Sequence, residues 1–110
     1  MKVDEKGHTI TIKDTQGDLP SFLEKVTTGY TTFKNHNLVL DISQDKGISL
    51  HDVLTFLPLS NQHREGKKSF VLVVSDFDFN EVPDEMIVVP TLLEAHDIIE
   101  MEEIERDLGF

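Results

Sequence analysis

Residues 9–13 read TITIK, with Ile10 and Ile12 alternating against Thr9, Thr11 and Lys13. That period of two places one side of a strand on a core. Across the Lys6-Gly7 turn, residues 2–5 and 8–13 predict a hairpin. Leu19, Phe22, Leu23, Val26, Tyr30 and Phe33 then recur at helical spacing, behind Asp18 as N-cap and with Pro20 in the tolerant first turn. NLVLDI at 37–42 and SFVLVVS at 69–75 are continuous apolar runs, the pattern of parallel strands covered on both faces. Between them residues 49–65 predict a second helix, stopped at Gly66 with Lys67 and Lys68 beyond it. Pro58 removes that helix's bond to the Leu54 carbonyl and should kink or divide it. A loop at 76–85 leads to a short strand at 87–89. The last helix starts at Thr91, with Glu94 at the reciprocal capping-box position, and runs through 108.

Hairpin, helix, strand, helix, strand, loop, strand, helix is the order of an α/β fold: a mixed sheet with three main helices packed on it. At 110 residues one domain covering 1–110 is expected, ending in an acidic amphipathic helix at 91–108. Val39, Leu40, Val71, Leu72 and Val73 should form the sheet's centre, covered by Leu23, Val26, Val53, Leu54 and Leu57.

Charge sharpens this picture. The net charge is -11, and residues 76–110 carry all of it, with twelve acids and one base, Arg106. Residues 1–75 balance nine acids with nine bases. Arg64, Lys67 and Lys68 are the one basic cluster, too little to displace counterions along phosphates, so direct nucleic-acid binding is not expected. The acidic run is either a solvated face or a surface that steers toward a basic protein partner. There is no cysteine, which excludes disulfides, thiolate nucleophiles and cysteine-ligated metal. The longest apolar runs are four or five residues, and MKVDEKGHTI has no apolar signal region, so a cytoplasmic protein without membrane association is expected.

Candidate chemistry is sparse. Asp76, Asp78 and Asn80 have the first spacings of a calcium loop, but Glu81 replaces the turn glycine and Ile87 the final glutamate. Phe77 and Phe79 are better read as anchors for that loop. His51-Asp52 and His96-Asp97 are sequence neighbours, and such pairs on a helix do not face each other. No Gly-rich nucleotide loop and no Ser-His-Asp order with a glycine elbow occurs. No catalytic residue, metal or cofactor is expected.

LVLDIS, a loop into ISLHDVLTFLPLS, and then HREGKKSFVLVVS together resemble the central segment of STAS domains, the anti-sigma factor antagonist family. Asp41 and Ser43 stand on that family's Asp-x-Ser strand end, and Ser49, Leu50, His51 and Asp52 stand on its Asp-Ser-Ser-Gly turn. TLLEAHDII is similar to the Ser-x-x-Glu-Ala start of the family's last helix. The resemblance implies a non-catalytic regulatory module that binds a protein partner through that turn. It also marks a departure, because the two phosphorylatable serine positions hold Leu50 and His51. Ser49 and Asp52 independently have the spacing of a capping box.

The chain is also similar to short sequences, with tails like EMEEIERDLGF, that carry a ribonuclease Z label. That enzyme is built around a His-x-His-x-Asp-His metal motif. His8, His36, His51, His63 and His96 do not form one, so the nuclease chemistry is unsupported. The label leaves open an accessory or regulatory role beside a larger enzyme, with an enzyme of another kind as the remaining alternative.

The C-terminal helix adds a second candidate surface. Ile98, Met101, Ile104 and Leu108 are expected near one face, with acids over the remainder. Acids at a helix C-terminus oppose the macrodipole, so something must order the last turns. The stripe either packs back on the sheet or stays exposed as a docking motif, with Ile104 and Leu108 as its candidate binding residues.

Overall fold

The computed structural model describes residues 1–109. The predicted hairpin forms from β1 (Lys2–Lys6) and β2 (Thr9–Lys13), and Gly7 takes the left-handed φ of 62° that closes it. Helix α1 (Leu19–Thr28) begins where Asp18 accepts from the Ser21 N–H at 3.1 Å. The stripe through Phe33 is not one helix. It breaks at Gly29, and a single turn, α2 (Tyr30–Phe33), carries Phe33 into the core. A Cβ at Gly29 would lie 3.1 Å from the Phe33 ring, so the turn packs against bare backbone there.

Strand β3 (Asn37–Asp41) follows, buried along its whole length. The helix expected over 49–65 divides as Pro58 requires, into α3 (Leu50–Leu54) and α4 (Leu57–Glu65), with Pro58 in the tolerant first turn of α4. Then come β4 (Phe70–Val73), a 3₁₀ turn at Phe79–Glu81, β5 (Ile87–Val89) and α5 (Leu92–Asp107). The five strands lie in sequence order, β1 antiparallel to β2 and every later neighbour parallel. This is the α/β mixed sheet that the sequence predicts.

Two cores lie on opposite faces of the sheet, because side chains alternate along each strand. On one face Ile10, Ile12, Leu38, Leu40, Ile42, Phe70 and Leu72 meet Phe22, Val26, Phe33, Val53, Phe56 and Leu59 from α1–α4. On the other, Val39, Val71, Val73 and Val89 meet Ala95 and Ile99 of α5. Val39, Val71 and Val73 are central, but α5 covers them; Val26 and Val53, with Leu23, Leu54 and Leu57 at the margin, cover Leu40 and Leu72 instead. Among the described residues no helix is long and apolar enough to cross a membrane.

Candidate docking surface on the C-terminal helix

Helix α5 starts at Thr91, whose hydroxyl accepts from the Glu94 N–H at 3.1 Å. It reaches the sheet through Ala95 and Ile99, both buried, with Ile98 half-buried beside them. Its last turns are ordered by polar contacts rather than by the apolar stripe. Asn37, at the start of β3, and Ser69, just before β4, are buried at the end of the sheet where the parallel strands begin. Asn37 accepts from the Ser69 N–H at 2.9 Å and donates to Glu103. The Ser69 hydroxyl donates to Glu102. Arg106 donates to both, 3.2 Å to Ser69 Oγ and 3.3 Å to Asn37 Oδ1. Arg64 of α4 adds an ion pair to Glu102 at 3.5 Å.

The one base of the acidic half therefore sits in the last turn of α5, where it opposes the unfavourable dipole and ties the helix to two strands. Sequence reasoning missed this clasp. Its signals were an Asn opening an apolar strand and a lone Arg among acids.

With the helix held by that face, the apolar stripe points away from the protein. Met101, Ile104 and Leu108 are 59%, 60% and 65% exposed, and Leu93 is exposed as well. At roughly 100° per residue, these four fall within an arc of about 80° on the side opposite Ile99 and Arg106. Self-packing is thus excluded for Ile104 and Leu108. Ile98 is separated from the stripe, because it turns toward the valine face of the sheet. Asp97 is exposed within the same arc, between Leu93 and Met101, and Glu100 and Glu105 are exposed on its two flanks.

The STAS-like turn lies elsewhere. Ser49 and Asp52 make the full capping box: Asp52 N–H donates to Ser49 Oγ at 3.1 Å, and Ser49 N–H to Asp52 Oδ2 at 3.0 Å. Both side chains are thereby committed to starting α3. Leu50 is half-buried and His51 exposed. His51 and Asp52 border an open groove of about 380 Å³ with Leu19, Pro20, Leu23, Glu24 and Thr55, between α1 and α3. The Ser49–Asp52 turn and the Ile104–Leu108 ridge do not form one site, since the groove helices cover one sheet face and α5 the other.

The histidines divide sharply by environment. His63 is buried, with Nε2 2.7 Å from the His36 carbonyl and Nδ1 2.7 Å from the Tyr30 hydroxyl. A carbonyl only accepts, so Nε2 carries the proton and Nδ1 of the neutral ring accepts from Tyr30. Burial lowers its pKa, the bond to His36 partly offsets this, and the Lys68 charge adds to the lowering. His63 thus joins α4 to α2 and to the start of β3. In the 76–85 loop, Asp78 accepts from the Asn80 N–H, and Phe77 and Phe79 stack edge to face at 5.4 Å. Phe77 also packs against the larger core, as an anchor for the loop should.

No family model matches the chain, and no curated protein matches it at a significant level.

Proposed function

We propose that the chain is a non-catalytic protein-binding module whose docking surface is the outer ridge of α5. The observation that carries this reading is the exposure of Met101, Ile104 and Leu108 on a helix whose other side is already pinned to the sheet. An exposed apolar ridge on an anchored helix suits the helix-in-groove mode of recognition, in which residues three and four apart enter one groove. The acids beside the ridge select the partner's chemistry: an apolar groove rimmed by lysine or arginine. A second copy of this chain is a poor occupant, since like charges would face each other across the contact.

The STAS resemblance bears on how such a module would be regulated. With Leu50 and His51 at the serine positions and Ser49 engaged as a cap, binding would not be switched by phosphorylation of that turn. The same reading accommodates an accessory or regulatory subunit of a larger enzyme.

The test places a photo-crosslinking residue at position 104 in one variant and at position 51 in another, in full-length chain exposed to cell extract. The proposal expects a discrete adduct from position 104, weakened by salt and lost when Leu108→Ser is added, with the melting temperature unchanged. An adduct from position 51 alone would move the docking surface to the α1–α3 groove. A crosslinked homodimer from position 104 would replace the basic partner with a second copy.

A further inference from the structure

The free edge of the sheet is a second surface, separate from α5. Strand β1 lies at the end of the strand order, paired with β2 alone, and all five of its residues are exposed. Edge strands commonly discourage further pairing with a proline, a bulge or charges that repel an incoming strand. β1 has no proline, and its five pairs with β2 run on without a bulge. Its one apolar side chain, Val3, is 47% exposed.

The register decides which backbone groups are free. The His8 carbonyl accepts from the Asn37 N–H at 2.8 Å, so His8 faces β3. Backbone groups of successive residues point to opposite sides of a strand, so Thr9, Thr11 and Lys13 face β1. Their partners Lys6, Asp4 and Lys2 therefore direct their N–H and C=O groups toward β2. Those of Val3 and Glu5 point out of the sheet, with no strand beside them among the described residues. Side chains sort the same way. Val3 and Glu5 stand opposite Ile12 and Ile10 and share the sheet face covered by α1, whereas Lys2, Asp4 and Lys6 lie on the other face.

We propose that a second copy of the chain pairs with this edge, the two β1 strands running antiparallel about a two-fold axis at Val3. Each Val3 then exchanges both backbone bonds with its counterpart, and the two valine side chains meet on the α1 face. On the other face Lys2 of each copy stands directly opposite Asp4 of the other, so symmetry makes that ion pair twice. No neighbouring register does as well. A slide of two residues one way sets Lys2 against Lys6 and Asp4 against Asp4, and a slide the other way sets Lys2 against Lys2. A slide of one residue brings groups already bonded to β2 opposite free ones. β1 carries two charges of each sign, so the like-charge penalty that disfavours a second copy at the α5 ridge does not arise here. The axis stands perpendicular to the sheet, which puts both α5 helices on one face of the joined sheet. The pairing holds whether or not their ridges bind a partner.

Sedimentation equilibrium of the full-length chain, from about 10 μM to about 1 mM, tests this. The mass should rise with concentration toward twice the 12.5 kDa of one chain. Over the same range the Val3 and Glu5 amides should gain protection from exchange, read by NMR. Lys2→Glu places an acid opposite Asp4, and Asp4→Lys places a base opposite Lys2. Either variant alone should associate about tenfold more weakly or worse, because the change is felt twice across the axis. Mixed in equal amounts, the two variants set opposite charges together at both contacts and should dimerise again. A wild-type chain that stays at 12.5 kDa throughout overturns the proposal, even if an extract protein protects the edge. A dimer that leaves the Val3 and Glu5 amides unprotected, or that both single variants form as well as wild type, places the contact elsewhere and overturns it too. The wild-type mass and amide protection decide the matter even if a variant folds poorly.

Discussion

Arg106→Met removes the guanidinium from the clasp at the end of α5 while keeping an apolar stem of similar length. Two donated bonds are lost, at 3.2 Å to Ser69 Oγ and 3.3 Å to Asn37 Oδ1. Both groups keep one hydrogen bond: Asn37 Oδ1 still accepts from the Ser69 N–H, and the Ser69 hydroxyl still donates to Glu102. Neither group is left without a hydrogen bond, so the cost stays below the full desolvation penalty. Hydrogen bonds to a charged group are worth about 1.5–3 kcal/mol, and two long, half-exposed ones together should cost about 2 kcal/mol. For a domain of this size, at ~4 °C per kcal/mol, that lowers the melting temperature by about 8 °C. Urea denaturation gives the free energy, and calorimetry gives the midpoint. Arg64→Met, which breaks only the surface contact at 3.5 Å to Glu102, is the control and should cost under ~1 kcal/mol. Stability of Arg106→Met within ~0.5 kcal/mol of wild type would show that the clasp does not hold the helix.

Ile99→Ala should cost about 2–4 kcal/mol by opening a cavity against Val39 and Val71, whereas Ile104→Ala on the opposite side of the same helix should stay within ~0.5 kcal/mol; paired chemical denaturation reads both. Tyr30→Phe leaves His63 Nδ1 buried without a donor and should cost about 1–3 kcal/mol by the same assay. His63 has a folded pKa below the ordinary 6.5, so its neutral form stabilises the fold above 6.5, and that contribution is lost as pH falls below it. A melting curve series should show this acid-side loss in wild type and its absence in His63→Leu. Ser49→Ala should cost about 1 kcal/mol of stability through the lost cap, while Ser49→Asp, which caps comparably, should melt close to wild type.

Patterns with a short repeat were legible from sequence. The alternation in TITIK, the apolar runs around Leu40 and Leu72, the Asp18 and Thr91 caps and the division at Pro58 each follow from local sterics or a period of two or 3.6. Gly29 was not legible as a break, because the stripe from Leu19 to Phe33 keeps its spacing across it. Which sheet face a residue meets depends on where α5 crosses, and no local pattern specifies that. Helix α5 illustrates the limit. Its apolar residues occupy both sides, so periodicity offered the Ile104 stripe as readily as the Ala95–Ile99 side. The choice was made by partners distant in sequence: Asn37 and Ser69, which require Glu102, Glu103 and Arg106 to face inward.

Amide exchange of the crosslink-identified complex tests most directly whether a partner sits on the outer face of α5. Mass-resolved exchange of the full-length chain, free and bound, should show new protection concentrated in residues 97–108. The segment from Ser49 to Thr55 should remain unchanged. Protection centred on Ser49–Thr55 and the start of α1, with α5 exchanging as in the free chain, would contradict the claim and return the docking surface to the capped turn.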